Sequence, residues 1–270
     1  MFVVTGTPRS ATGYASLLFT ALSVPCSHER IFRPRTSLLE VLEWYAEGGE
    51  KGESSWLAWV FLGVMPGPIP VLHTVRNPWN VVDSLAHRND ILPEEADLDE
   101  GKKTFRETVK AYCPEVLEYS TGVDRAAALV IHWNRKIEEY ACRNGCEYHR
   151  YRVEDIKSRR QVERLLGYIG IPRNETDIER ALNEVPFNVN AGKNIEYNLE
   201  ITNPFILEAF QKMVPDIKPV ISRAMKTAEY KTSEELENNM SLELRVGLNE
   251  IAERYGYSRY EQGVNKNVSK

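Results

Sequence analysis

The sequence predicts an α/β protein with a three-layer fold, in which helices flank a central, mostly parallel sheet and a helical extension follows at the C-terminus. Two segments carry this prediction, because each combines a short apolar run, a polar loop and an amphipathic helical pattern: Phe2 to Leu22 and Val71 to Leu85. Glu147 to Val153 adds a third strand, and Ser158 to Ile169 follows it as an amphipathic helix. Strands that alternate with helices form parallel sheets.

The chain length predicts one domain rather than two. A chain of 270 residues can bury a large core. We assign residues 1–270 to one domain, with a core of about 1–230 and a C-terminal helical segment of about 233–257. The net charge of −5 argues against a nucleic-acid partner, because binding to phosphate backbones needs a dense basic surface.

The cysteines predict reduced thiols rather than disulfides or a zinc site. None of the four belongs to a Cys-x-x-Cys pair or has a partner at zinc spacing: Cys26, Cys113, Cys142 and Cys146. The chain begins on a strand without the charged and apolar regions of a signal peptide, and it holds no long uncharged apolar stretch. These observations predict a cytoplasmic protein without a membrane span.

The segments between the first and second strand–loop–helix units also have predictable structure. Val24 to Glu29 predicts a short second strand, and Ser37 to Ala46 predicts an amphipathic helix with Thr36 or Ser37 as its N-cap. Trp56 to Val64 is apolar and fits a buried helix or a buried strand equally well. The remaining segments are predicted as follows: a charged, mobile loop or lid at His87 to Lys103, and helices at Val123 to Asn144, Asp177 to Asn183, Asn203 to Ala228 with a break at Pro215, and Ser233 to Tyr257.

The loop from Gly6 to Gly13 predicts an anion site. It lies between a strand and a helix start, where backbone N–H groups lack intrahelical partners and the helix dipole favours negative charge. Compared with the P-loop of ATP and GTP enzymes, Ala11 replaces the second Gly, Thr12 replaces the Lys and Gly13 replaces the magnesium-binding hydroxyl. The segment therefore predicts a P-loop-like cradle with Arg9 as its cation, or an ordinary strand-to-helix turn.

Two motifs together resemble the sulfotransferases that use 3'-phosphoadenosine 5'-phosphosulfate (PAPS). That family carries a Pro-Lys/Arg-Ser-Gly-Thr loop after its first strand, matched by Pro8-Arg9-Ser10-Ala11-Thr12, and a strand ending in Arg with a Ser eight residues later, matched by Arg76 and Ser84. Val153-Glu154-Asp155-Ile156 is similar to the family's Tyr-Glu-Asp-Leu segment. The Pro-Arg-Ser loop, with Glu29 about twenty residues beyond it, is more similar to the tyrosylprotein and bacterial branches.

The resemblance implies an enzyme that transfers the sulfonyl group of PAPS to a hydroxyl or amine, leaving adenosine 3',5'-bisphosphate and needing no metal. It implies that Arg76 and Ser84 grip the 3'-phosphate, and that Arg9 stabilises the leaving-group charge. It also implies a general base at the end of the second strand, either Glu29 or His28, although both fit a polar surface loop as well. The 5'-phosphate and sulfonate would be held by the N–H groups of Ser10, Ala11, Thr12 and Gly13.

Four positions depart from the family pattern. Ala11 replaces a Gly, which is tolerated at negative φ but strained at positive φ. Tyr14 is predicted either to stack on the adenine or to be a core aromatic, and Val153 stands where the family often has an adenine-contacting Tyr. Lys193, in the only substitute for the family's late Arg-Lys-Gly loop, is a candidate 3'-phosphate ligand or a solvated lysine.

The alternatives to a sulfotransferase are a P-loop kinase of a small molecule and a non-catalytic nucleotide-binding or partner-binding module. The acceptor of a sulfotransferase would be a small molecule, a glycan or a peptide, and the variable segments Arg30 to Pro70 and His87 to Gly122 would select it. Six aromatic residues in these segments are expected to line an acceptor pocket or to face the core: Trp44, Tyr45, Trp56, Trp59, Phe105 and Tyr112.

Overall fold

Five parallel strands form the central sheet in a computed structural model that describes residues 1–87, 100–185 and 233–258. The strands are β1 (Phe2–Thr5), β2 (Cys26–His28), β3 (Gly52–Ser54), β4 (Val71–Val75) and β5 (Tyr148–Arg152). Their order is β2-β3-β1-β4-β5, so β1 lies at the centre between β3 and β4. The predicted α/β class with a parallel sheet is confirmed.

The helices of the described residues follow the strands in the order expected for a parallel sheet. They are α1 (Thr12–Ala21), α2 (Leu38–Glu47), α3 (Pro78–His87), α4 (Glu100–Tyr112), α5 (Gly122–Arg143), α6 (Arg159–Tyr168), α7 (Glu175–Glu184), α8 (Ser233–Asn238) and α9 (Leu242–Arg254). The described residues also contain 3₁₀-helices at Ala58–Val64, Pro114–Glu118 and Asp155–Lys157, which lie between the main elements. As predicted, Ser37 caps α2, and Glu40 completes a capping box that satisfies two backbone N–H groups at once.

The helices cover both faces of the sheet, because the strand residues alternate between two apolar clusters. Phe2, Val4 and Leu72 pack with α1, α6 and α7 on one face. Val3, Val71 and Val75 pack on the other face with α3 and α5, and the described C-terminal helices α8 and α9 join that same cluster. This arrangement gives the three predicted layers. None of the described helices is both long and apolar enough to span a membrane.

The structure adds one strand to the predicted sheet and decides the run that was left open between helix and strand. β3 was not predicted, because Gly52, Glu53 and Ser54 are residue types that strands disfavour, and the strand forms through pairing with β1 and β2 on both sides. Gly52 is required there, since a Cβ would clash with the ring of Phe2. The run from Trp56 to Val64, left open between helix and strand, contains a 3₁₀-helix.

The charged segment from His87 to Lys103 is not a loop throughout. Residues 100–103 form the first turn of α4, whose amphipathic pattern packs Val109 against the core. Residues 88–99 lie outside the described residues, as do the helices predicted between Asn203 and Ala228. The C-terminal segment forms two helices, α8 and α9, where one was predicted.

Candidate functional site

The first loop, residues 6–13, crosses the carboxyl edge of the sheet between β1 and α1 and includes the first two residues of α1. Gly6 allows its close approach to β4, since a Cβ would clash with Ser10 Oγ and the Thr74 carbonyl. The carbonyl of Thr7 accepts the Ser10 hydroxyl at 2.7 Å, and the carbonyl of Ser10 accepts the Thr74 hydroxyl at 3.0 Å. Protein donors therefore bind the carbonyl side of this loop.

The same pattern continues into the start of α1. Ser54 Oγ in β3 donates to the carbonyl of Thr12 at 2.7 Å, and Arg76 Nη1 donates to the carbonyl of Arg9 at 3.3 Å. Within the described part of the chain, the N–H groups of Ala11, Thr12 and Gly13 have no hydrogen-bond acceptor. Because these groups sit at the positive end of a helix, the edge favours an anion.

Two residues of the first loop adopt left-handed backbone conformations. Arg9 has a φ of 75° and Ala11 a φ of 66°. Ala11 therefore has the positive φ at which the replacement of Gly by Ala is strained. In this region the Cβ of an L-residue lies too close to the following carbonyl oxygen, which costs free energy. The four hydrogen bonds to the loop carbonyls hold this conformation in place.

The second predicted motif meets the first loop directly. β4 ends at Val75 and delivers Arg76 to the sheet edge, while Ser84 lies two turns into α3, whose first turn is capped by Asn77 Oδ1 on the N–H of Trp79. Arg9 Nε donates to Ser84 Oγ at 3.1 Å. Arg9, Arg76 and Ser84 thus lie together at one edge, although the two motifs are 67 residues apart at their arginines.

His28 and Glu29 approach the first loop from β2. His28 Nε2 lies 3.3 Å from Thr12 Oγ1 and 3.6 Å from Glu29 Oε1. Their side chains remain 24% and 37% exposed, so both are partly open to solvent at the carboxyl edge of the sheet. Glu29 has a φ of 50°, so it also adopts a left-handed backbone conformation although it is not a glycine.

The surroundings shift the proton affinities of both residues. Burial lowers the pKa of His28 to about 4, against the opposing charge of Glu53, so this ring is neutral near pH 7. Burial raises the pKa of Glu29 to about 7, so its carboxyl exchanges protons near neutral pH. The contact between them is therefore not an ion pair at pH 7, and Glu29 has the pKa that suits a general base.

Three other predicted positions are not part of this cluster. Tyr14 is 2% exposed and packs in the cluster beneath α1, and burial raises its pKa to about 12, so its position favours the core alternative over stacking on an adenine. Val153 is also buried in the core. Lys193 lies outside the described residues.

Several residues at this edge had no sequence signal. Thr74 and Ser54 bind the first loop, and Glu53 binds the loop after β2, yet none belongs to a motif. Their roles depend on the placement of β3 and β4 beside β1. The one hint was an acidic residue, Glu53, that only two serines separate from the apolar run starting at Trp56.

A cleft of about 190 Å³ lies between the loop after β2 and α4. Arg33, Arg35 and Glu107 line it together with Phe61 and Tyr112. Of the six aromatic residues considered for an acceptor pocket, Tyr112 is the one that lines this cleft, while Trp44, Trp56 and Trp59 are buried in the core.

The comparisons with known proteins find a likeness in structure but none in sequence. No family model matches the chain, and no curated protein matches it in sequence. Among solved structures, it is similar to the crystal structure of mouse sulfotransferase SULT7A1 complexed with PAP, with 12% identity and a TM-score of 0.45. The match covers 94% of this chain and 88% of that chain.

Proposed function

We propose that the protein is a PAPS-dependent sulfotransferase that acts on a hydroxyl, or on an amine. The observation that carries this proposal is the hydrogen bond of 3.1 Å between Arg9 Nε and Ser84 Oγ. It joins the two motifs on which the resemblance depends, and Arg76 reinforces the junction through the carbonyl of Arg9. One bisphosphorylated nucleotide can therefore reach both motifs.

The chemistry of the donor groups at the sheet edge fits PAPS. The N–H groups of Ala11, Thr12 and Gly13 suit the 5'-phosphate and sulfonate, and Arg76 with the Ser84 hydroxyl suits the 3'-phosphate through charge-assisted hydrogen bonds. The substitutions in the loop disfavour a P-loop kinase, because Thr12 and Gly13 stand where that loop needs its Lys and its magnesium-binding hydroxyl.

The side chains at the edge also suit the chemical step. PAPS supplies a sulfonyl group that passes in line to the acceptor oxygen while its bond to the 5'-phosphate oxygen breaks. Arg9 stabilises the negative charge that grows on the phosphate. Glu29 takes the proton of the acceptor hydroxyl, because its pKa of about 7 matches that task. We assign this role to Glu29 rather than His28, whose Nε2 contacts Thr12.

We place the acceptor in the cleft between the loop after β2 and α4. Phe61 and Tyr112 offer apolar surface, and Arg33 and Arg35 lie at the mouth with 55% and 70% of their side chains exposed. Tyr112→Ala is expected to raise KM for an aromatic acceptor more than it lowers kcat, because it removes binding surface away from the reacting atoms.

Thermal unfolding tests the nucleotide class directly. A ligand that binds only the folded state at about 100 times its Kd stabilises it by about 2.7 kcal/mol. Adenosine 3',5'-bisphosphate is expected to raise Tm more than ATP with magnesium does. Arg76→Ala should reduce this shift, whereas Arg164→Ala, an exposed arginine on α6, should not. Stabilisation by ATP with magnesium and not by the bisphosphate would contradict the proposal.

Transfer assays separate an enzyme from a binding module. Labelled PAPS with a panel of phenols, alcohols, amines, glycans and tyrosine peptides is expected to give a sulfated product. Bisphosphate binding without transfer to any member of the panel would favour the module.

A further inference from the structure

The carboxylate of Glu53 is fully buried and binds the chain on both sides of Glu29. Its Oε1 accepts the N–H of Arg30 at 2.7 Å and the N–H of Ile31 at 3.0 Å, and its Oε2 accepts the hydroxyl of Ser27. All three partners are donors, so the carboxylate acts only as an acceptor. A buried carboxylate that makes three such bonds fixes the path of the chain from β2 into the loop beyond it.

Glu29 lies at the centre of these three bonds to Glu53, here called the Glu53 clamp, and has a strained backbone. Glu29 has a φ of 50°, and its own N–H donates to the carbonyl of Ser54 at 3.1 Å. A left-handed conformation in a residue other than glycine persists only where the surroundings enforce it. The three bonds to Glu53 and the bond to Ser54 enforce it here. None of them uses the Glu29 carboxyl, whose side chain is 37% exposed.

We infer that Glu53 is a positioning residue that holds Glu29 at the first loop for proton transfer. This inference rests on the proposed function, in which Glu29 is the general base. Glu53 is too deeply buried to touch a substrate, since none of its surface is exposed. Its effect is transmitted through the backbone of residues 27–31.

Three variants separate positioning from simple stabilisation. Glu53→Ala removes the clamp and is expected to lower kcat by about 10²-fold, as misplaced catalytic groups do, with little change in bisphosphate affinity. Glu53→Gln can accept the two N–H groups and donate to Ser27, so it should rescue most of kcat. Asn134→Ala is the matched control, because it truncates a buried polar side chain on α5 that makes no bond to this loop. The Asn134 side chain bonds His73 on β4 and the carbonyl of Val130.

The titration of Glu29 gives a readout that a purely structural role would not move. Its neighbours among the titratable groups are His28, at 3.6 Å on β2, and Glu53 on β3. In Glu53→Ala the loop is released toward water, so the pKa of Glu29 should fall from about 7 toward its usual value. The acidic limb of the kcat profile should move to lower pH with it, and neither Glu53→Gln nor Asn134→Ala should produce this shift.

Carbon-13 NMR of labelled glutamate, with the Glu29 signal assigned from Glu29→Gln, measures that pKa without any turnover. Suppose that the unmodified protein transfers no sulfonate but the pKa of Glu29 still falls in Glu53→Ala. That result would uphold the positioning of Glu29 by Glu53 and overturn the proposed function. A lower Tm in Glu53→Ala with an unmoved Glu29 titration would overturn the inference. Should Glu53→Ala fail to fold, Ser27→Ala removes one of the three bonds and should shift the titration in the same direction by less; an unmoved titration there would also overturn it.

Discussion

The first loop and the loop after β2 both contain residues other than glycine in left-handed backbone conformations. The rest of the protein hydrogen-bonds opposite sides of the two backbones: the carbonyl groups of the first loop and the N–H groups of the loop after β2. In the first loop, hydroxyl and guanidinium donors bind the carbonyl groups, while the N–H groups of Ala11, Thr12 and Gly13 have no acceptor among the described residues. In the loop after β2, Glu53 and the Ser54 carbonyl bind the N–H groups of residues 29–31.

In the proposed function, this difference gives each loop its own chemical role. A loop with bound carbonyl groups and open N–H groups attracts an anion. A loop with bound N–H groups offers no such donors, and it presents the carboxyl of Glu29 as a proton acceptor. β3 supports both loops, because Ser54 donates to Thr12 and accepts from Glu29 while Glu53 holds the second loop.

The largest expected effect comes from removing the proton acceptor of the loop after β2. Glu29→Gln should lower kcat by about 10²–10⁴-fold, the usual contribution of a general base. In the unmodified protein kcat should fall about tenfold per pH unit below about 7, because protonated Glu29 cannot accept a proton. Steady-state rates from pH 5 to 9 measure both. His28→Gln is the control, and a greater loss there would transfer the base role to His28.

A somewhat smaller effect is expected from the cation of the first loop. Arg9→Ala should lower kcat by about 10²–10³-fold, because the leaving phosphate loses a charged donor. Binding of adenosine 3',5'-bisphosphate should remain measurable, since Arg76 and the N–H groups persist. Single-turnover transfer and the thermal shift measure the two quantities, with Arg9→Lys as the charge-conserving control. Equal losses of binding and turnover would mean that the first loop acts on the ground state alone.

The effect of Glu29→Gln on thermal stability should depend on pH. Burial raises the Glu29 pKa from its ordinary value to about 7, so the unfolded chain releases this proton at lower pH than the folded one. The contribution of this carboxyl to stability is therefore complete below about pH 4.5 and is lost as pH rises through about 7. Glu29→Gln should raise Tm by about 1–3 °C at pH 8 and leave it unchanged at pH 4. A gain at pH 4 as large as at pH 8 would contradict this linkage.

The smallest effect concerns the strain in the first loop. Ala11→Gly removes a left-handed penalty of about 1–2 kcal/mol, offset by about 0.4–1 kcal/mol from the more flexible unfolded chain. We expect a Tm increase of about 1–3 °C by calorimetry. Ala111→Gly on the exposed face of α4 is the matched control and should lower stability by about 1 kcal/mol. If both variants were destabilised alike, the surrounding bonds would not be holding Ala11 under strain.

Local patterns were sufficient for most of the elements and for the first half of the site. Three of these patterns act within a few residues: the β-branched and aromatic run of β1, the Ser37 cap of α2 and Pro78 at the start of α3. The structures of these elements therefore follow from neighbouring side chains. The spacing of Arg76 and Ser84 likewise places one at a strand end and the other two turns into a helix. The second half of the site, around Glu53, had no comparable pattern.

The sequence by itself determined the alternation of strands and helices and the residues that carry charge to one edge of the sheet, because hydrophobic period, capping and turn chemistry are local. Only the tertiary structure decided that Gly52–Ser54 is a strand, that Ala11 and Glu29 have positive φ, and that Tyr14 is buried. These features depend on partners between about 20 and 65 positions away, such as Glu53 for Arg30 and Thr74 for Ser10. Pairing over such distances is set by the packing of the whole sheet, which no short window of residues contains.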